Sequence, residues 1–267
     1  MAGRFYPDDP GELEAMVRGF LEAARRPSGS RAGAPPLQDS PPVALVAPHA
    51  GYDYSGPVAG SAYALVEPAR GAVRRVVLLG PSHHVAFHGL ALPECDAFDT
   101  PLGQHAVDAA GVAAMQESPV AGGYEEAHRH EHCLEVQLPF LRVALGSVPI
   151  VPVVTGEVSP SEIADALHWA WTPDTLVVVS SDLSHYLPYE QARKADLRTA
   201  DAVERLDTPA LGVHDACGVV ALKGLLEAAR RRSLVARCVD LRNSGDTSGS
   251  PGRVVGYGAF GFWAGAS

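Results

Sequence analysis

His49, His83, His84, Asp182, His185 and Cys217 are the residues of this chain whose types and positions could do chemistry. The first five stand just beyond apolar runs. Val43-Ala44-Leu45-Val46-Ala47 leads through Pro48 into His49, and Val76-Val77-Leu78-Leu79 leads through Gly80-Pro81-Ser82 into His83 and His84. Leu176-Val177-Val178-Val179-Ser180-Ser181 leads into Asp182, with His185 three residues on. Imidazole, carboxylate and thiolate are the groups that ligate transition metals, and imidazole also moves protons near neutral pH. If the three runs are neighbouring strands, three imidazoles and a carboxylate meet in one crevice, as a metal site or an acid–base site.

Each candidate has a plainer reading. Adjacent residues on an extended loop point in opposite directions, so one of His83 and His84 enters the crevice, and spacing does not say which. A three-residue gap on a helical turn would put Asp182 and His185 on one face, as joint ligands or with the carboxylate orienting the ring. Asp182 could instead cap a helix. In His128-Arg129-His130-Glu131-His132-Cys133-Leu134-Glu135, a helix starting at about Glu131 would place His132 and Glu135 on one face, with His128 and His130 solvated. Cys217 before Gly218 opens a helix, where the dipole favours a thiolate, although most free cysteines are buried apolar residues. Gly256-Tyr257-Gly258-Ala259-Phe260-Gly261 spells a dinucleotide fingerprint, but no crossover helix can follow it, so it reads as a strand. Ser82 and Ser184 each lie close to a histidine, yet no G-x-S-x-G elbow supports a serine nucleophile.

The elements that must position these groups alternate along the chain. Short Val/Leu runs bounded by Gly and Pro read as buried strands over 43–47, 75–80, 149–154 and 175–181. Apolar spacing predicts helices over 10–26, 56–67, 105–117, 131–145, 160–171, 189–205 and 217–231. Residues 86–104 read as irregular with short extended pieces, 27–42 as an exposed Pro/Gly/Ser-rich loop, and 234–241 and 253–263 as extended. This order predicts an α/β fold, a single domain over 1–267 whose central, mostly parallel but mixed sheet is flanked by helices. Ligands of such open sheets sit beyond the carboxyl ends of the strands.

Composition narrows the function classes. Of 267 residues 46% are hydrophobic and 19% charged, enough for a large core, and the formal net charge is −10. That balance argues against a nucleic-acid partner. Arg230-Arg231-Arg232 reads as the cationic last turn of a helix. With no apolar run of membrane-spanning length, no leader and four scattered cysteines without a C-x-x-C pair, the expectation is a cytoplasmic protein with reduced thiols and no membrane association.

Several long strings, taken in order, resemble the Memo-like family, whose prokaryotic members are called AmmeMemoRadiSam system protein B. They are Ala2-Gly3-Arg4-Phe5-Tyr6-Pro7, Ala47-Pro48-His49-Ala50-Gly51-Tyr52, Gly80-Pro81-Ser82-His83-His84, Glu131-His132-Cys133-Leu134-Glu135-Val136-Gln137-Leu138-Pro139, Ser180-Ser181-Asp182-Leu183-Ser184-His185 and Cys217-Gly218. The resemblance covers nearly the whole chain. It implies a fold similar to class III, non-haem-iron extradiol dioxygenases. By motif position it implies a pocket of His49, His83, Asp182, His185 and Cys217, favours His83 over His84, and places His132 and Glu135 nearby.

The expected function is a metal-binding protein with a dioxygenase-like pocket and oxidoreductase chemistry. His49, His83 and Cys217 would ligate a divalent metal, with Asp182 and His185 as further ligands or acid–base groups. Two imidazoles with an anionic ligand suit Fe(II), while a thiolate also suits Zn or Cu. One rival is a non-catalytic module that holds a peptide or small anionic ligand in the same pocket, its histidines hydrogen-bonding and not reacting; protein partners are a further expectation. A lower-ranked rival is a zinc hydrolase, for which no H-E-x-x-H motif is present.

Overall fold

The computed structural model describes residues 1–25, 40–247 and 249–265. Most of the predicted 27–42 loop lies outside the described residues. The first helix, α1 (Pro10–Ala24), is capped by the Asp9 side chain on the Glu12 N–H, with Pro10 in the first turn where its missing N–H costs nothing. There follow β1 (Ala44–Ala47), α2 (Tyr52–Tyr63), β2 (Arg75–Pro81) and β3 (Leu90–Leu92). A hairpin of β4 (Ala97–Thr100) and β5 (Gly103–Ala106) precedes α3 (Ala109–Met115), β6 (Ala121–Gly123) and α4 (Glu125–Arg129). Next come α5 (Leu138–Leu145), β7 (Ile150–Thr155), α6 (Pro160–Ala170), β8 (Thr175–Ser180) and β9 (His185–Leu187). The chain continues through α7 (Tyr189–Glu204), α8 (Val219–Arg231), β10 (Leu234–Asn243), the single turn α9 (Ser244–Thr247) and β11 (Val254–Ala264).

The main sheet runs β10-β11-β1-β8-β2-β7-β3-β6, with β9 also on β11. Pairing is parallel through β1, β8, β2 and β7 and antiparallel where β11 and β3 join them. The strand runs are apolar throughout because both sheet faces are covered. Val46, Val77, Leu79, Val177 and Val179 pack on one side with residues of α6, α7 and α8. Leu45, Val76, Leu78, Leu176 and Val178 pack on the other with α1, α2 and α5. Successive strand residues alternate between the two cores, as the two-residue period of a strand requires. Among the described residues, no helix is long and apolar enough to cross a membrane.

Three predicted helical segments differ from expectation, and the one over 105–117 begins only at Ala109, with residues 105–106 in β5. The predicted 131–145 helix is only Leu138–Leu145, after a 3-10 turn over Glu135–Gln137. Pro139 explains the late start, since proline fits the first turn of a helix and breaks its interior. Residues 182–187 form no helical turn. Leu183 donates its N–H to the Gly256 carbonyl, Ser184 accepts from the Gly256 N–H, and β9 pairs with β11. The backbone of 183–187 is thus committed to the sheet, and Asp182 caps no helix.

Candidate metal centre

The order β1-β8-β2 makes the three predicted strand ends immediate neighbours, all parallel. Ala47 pairs with Ser180 and Leu79 with Val179, so the three strands leave the sheet level with one another. The residues that follow them share one crevice at the carboxyl edge, as ligands of such sheets do.

His49 is 2% exposed. Its Nδ1 lies 2.9 Å from Ser180 Oγ. That hydroxyl donates its only proton to the Cys133 carbonyl at 2.6 Å and accepts from Gln137 Nε2 at 2.8 Å. It therefore has only a lone pair left for the ring, and His49 must carry its proton on Nδ1. Gln137 is oriented in turn, because its Nε2 also donates to the Pro48 carbonyl and its Oε1 accepts from the Tyr63 hydroxyl. His49 Nε2 is left as a lone pair, 3.3 Å from Cys217 Sγ. Burial first, then His83 close by, lower the His49 pKa to about 3, so the ring is neutral.

His83 is held by Glu131. One carboxylate oxygen accepts from the His83 backbone N–H at 2.7 Å and the other meets His83 Nδ1 at 2.8 Å. The same carboxylate accepts from the N–H groups of His132 and Cys133. Burial opposes its charge, but the hydrogen bonds from His83 and Cys133 outweigh it and hold Glu131 well below the usual carboxylate range. An ionised Glu131 requires a proton on His83 Nδ1, so in the neutral ring Nε2 is the open nitrogen, the carboxylate–histidine pairing that orients metal ligands. Gly80, just before, must lack a side chain, since a Cβ there would come within 2.5 Å of Cys133 Sγ.

His132 completes a trio. Its ring stacks on His83 with centroids 4.8 Å apart, on Phe5 at 4.6 Å, and meets His49 edge-on. One ring nitrogen from each of His49, His83 and His132 lies within 4.8 Å of the other two. Burial and His49 lower the His132 pKa to about 4. His83, Glu131 and Cys133 form a second such group.

The remaining predicted residues surround this trio. Asp182 is buried, and its carboxylate accepts from the N–H groups of His49, at 2.8 Å, and Ala50, tying the exit of β1 to that of β8. Cys217 Sγ accepts the Asp182 N–H at 3.2 Å, and Gly218 fits against Ser181, where a Cβ would meet the serine side chain at 2.8 Å. The expected thiolate is not favoured: burial and then the charge of Asp182 push the Cys217 thiol up to about 12. Cys217 precedes α8 by two residues, too far out for the dipole to overcome that. His185 is exposed, donates Nδ1–H to the Leu183 carbonyl at 2.7 Å, and lines with Cys217, Val213 and His214 a cleft of about 370 Å³.

Two readings of the 128–135 segment need correction. Glu135 does not share a helical face with His132; it accepts from the Tyr6 hydroxyl at 2.5 Å and pairs with the Met1 amino group at 2.9 Å. His128 is buried, not solvated, with Nε2 against the Ala91 carbonyl, while His130 is exposed as expected. Spacing does not single out Glu131, Gln137 or Ser180, although all three stand in the strings that carry the resemblance. The available signal is a carboxylate directly before His-Cys, which the apolar spacing of a helix over 131–145 masks.

Comparison with known proteins agrees with the sequence strings. A family model described as Memo-like protein matches residues 1–260. A MEMO1 family protein of Aquifex aeolicus is 36% identical over 269 residues, spanning 96% of this chain and 95% of its own length. One from Desulfurococcus amylolyticus is 34% identical over 281 residues, spanning 98% and 97%, and one from Archaeoglobus fulgidus is 34% identical over 272 residues, spanning 96% and 95%. With similarity running from end to end and the motif residues gathered at one sheet edge, this chain belongs to the Memo-like family.

Proposed function

We propose that this chain, acting over 1–267 as one Memo-like unit, is a divalent-metal protein of the cytoplasm with an oxidoreductase pocket of the non-haem-iron, dioxygenase-like kind. The observation that carries the reading is the pair of imidazoles, His49 and His83, whose Nδ1 protons are fixed by Ser180 and Glu131 and whose Nε2 lone pairs are left open. His83 is partly exposed, so burial alone does not call for its Nδ1 to be fixed by a buried carboxylate.

The donors His49 and Cys217 fit a metal as a pair, while the three donors gathered within 4.8 Å of one another are His49, His83 and His132. Cys217 Sγ lies 3.3 Å from His49 Nε2. Sulfur and nitrogen ligands of one tetrahedral ion, at roughly 2.3 and 2.0 Å from it, stand about 3.5 Å apart. His49, His83 and Cys217 would hold the ion, with His132 as the alternative third donor and Asp182 and His185 as further ligands or acid–base groups. Fe(II) is the first choice for two imidazoles and an anionic donor, with Zn or Cu suited by the thiolate. A bound ion supplies Lewis acidity and, if it is iron or copper, a redox couple. The chain's own residues do the rest. Cys217 keeps its proton against His49 Nε2 until a cation replaces it. His185, anchored through Nδ1, presents Nε2 at the cleft, where a small molecule or peptide would sit, and can take up or release a proton there.

Anaerobic titration with Fe(II), Zn(II) and Cu(II) tests the site. Wild type should bind one equivalent, and His49→Ala should weaken binding by about a hundredfold or more, as loss of a ligand does. Equal, weak binding by both proteins would end the proposal. Oxygen consumption by the iron-loaded protein with catechol-like compounds then separates an oxidoreductase from a binding module.

A further inference from the structure

Away from the crevice, a cleft of about 390 Å³ opens between α1, α5 and the β4–β5 turn. Its charged lining is Arg18, Arg70, Arg142 and Glu14, three cations against one anion, in a chain whose net charge is −10. Pro10, Pro101, Leu102 and Val143 supply its apolar walls. Arg142 and Val143 lie toward the far end of α5 from Gln137, and Arg70 precedes β2, whose seven residues span roughly 20 Å from there to the metal crevice. The cleft is therefore a separate place.

Two of the three guanidiniums are held in position by main chain. Arg70 donates to the Val143 carbonyl and Arg142 to the Gln104 carbonyl. Each uses one of its five N–H donors there and keeps others for a ligand. Arg18 pairs with Glu14 on the same helix, an exposed contact that a stronger acceptor could displace. Fixed guanidinium forks beside each other recognise tetrahedral or planar oxyanions, and three of them exceed what one glutamate neutralises. We propose that this cleft binds a phosphorylated small molecule, with the phosphoryl group between Arg70 and Arg142 and the organic part against Pro10, Pro101 and Leu102. The volume is in the range of small-molecule pockets, about 300–1,000 Å³, and leaves room beyond one phosphate.

The test is calorimetric titration of the full chain at low salt with inorganic phosphate, glucose 6-phosphate and glucose. The proposal expects saturable binding of the two phosphates and none of glucose. An ester preference of about tenfold or more identifies the organic walls as part of the site, and equal affinity assigns the cleft to free phosphate. Arg142→Gln and Arg70→Gln should each weaken binding by about tenfold or more, the loss of a charge-assisted contact. Arg18→Gln, on an exposed side chain that folding does not need, should weaken it by a smaller, measurable factor. Fe(II) titration of the same variants should match wild type. Absence of saturable binding by any phosphate would overturn the proposal, as would affinity unchanged in all three variants. Phosphate binding abolished by His49→Ala would also overturn it by moving the ligand to the metal crevice.

Discussion

His49 and His105 are both almost completely buried, and both are neutral because burial pushes their pKa down, to about 3 and about 4. They differ in what their nitrogens meet. His49 gives Nδ1–H to a hydroxyl already oriented by Cys133 and Gln137, and turns Nε2 toward Cys217. Neither nitrogen of His105 finds a partner among the described residues, and the neighbouring Arg142 adds to burial in lowering its pKa. Burial and a shifted pKa are therefore common to a candidate ligand and a packing histidine. The distinguishing mark is a second residue that chooses the tautomer.

The comparison is broken most severely at Glu131. Its carboxylate meets three backbone N–H groups and the His83 ring, so Glu131→Ala strands several buried donors at once. The expected loss is about 3 kcal/mol of stability, by urea unfolding, and about 10–100-fold in metal affinity, by titration. Because its folded pKa is depressed, the stabilisation from Glu131 is present above its ordinary value near 4.5 and is lost as pH falls below it. Wild type should therefore lose stability on acidification below that value faster than the variant. If Glu131→Ala retained wild-type metal affinity, the tautomer argument would fail for His83.

Much of this was legible in the sequence, for identifiable reasons. Strands with both faces buried read as continuous Val/Leu runs, so 43–47, 75–80 and 175–181 were found nearly to the residue, and with them His49, His83 and Asp182. That β8 lies between β1 and β2 was not legible, because strand order depends on long-range packing. Local pattern misled where polar contacts override it. Val136, Leu138, Leu141 and Val143 look helical back to residue 131, but the Glu131 carboxylate captures the N–H groups of His132 and Cys133 and holds that stretch as a turn. Likewise Asp182 and His185 have helical spacing, yet the Gly256 backbone draws 183 and 184 into pairing. The choice of His83 over His84 came from family resemblance alone, and the structure supports it with the Glu131 clamp.

His105→Leu sharpens the same comparison with a smaller effect. A histidine whose folded pKa lies near 4 binds fewer protons folded than unfolded, so its contribution makes stability fall as pH drops from about 6.5 toward 4. Between pH 7 and pH 5 the wild type should lose on the order of 1–2 kcal/mol through this group. The leucine variant should lack that part of the slope in chemical denaturation at the two pH values, and it should bind metal like wild type. An unchanged slope would mean that His105 reaches solvent or a partner when protonated.

The finest division is between neighbours. His83 and His84 are consecutive, and both carry exposed surface, yet only His83 reaches Glu131 and the other two rings. The His84 ring lies 6.5 Å from that of His83, with the two ring planes at about 65°. His84→Ala should therefore change metal affinity by less than about twofold, within the effect of an exposed substitution. His83→Ala should weaken it by about a hundredfold, as a lost ligand does. Titrating the two variants side by side checks this with one chain, one loop and nearly identical surface charge. Equal losses would mean that the loop presents either ring to the ion, and the Glu131 clamp would then be a feature of folding and not of the metal centre.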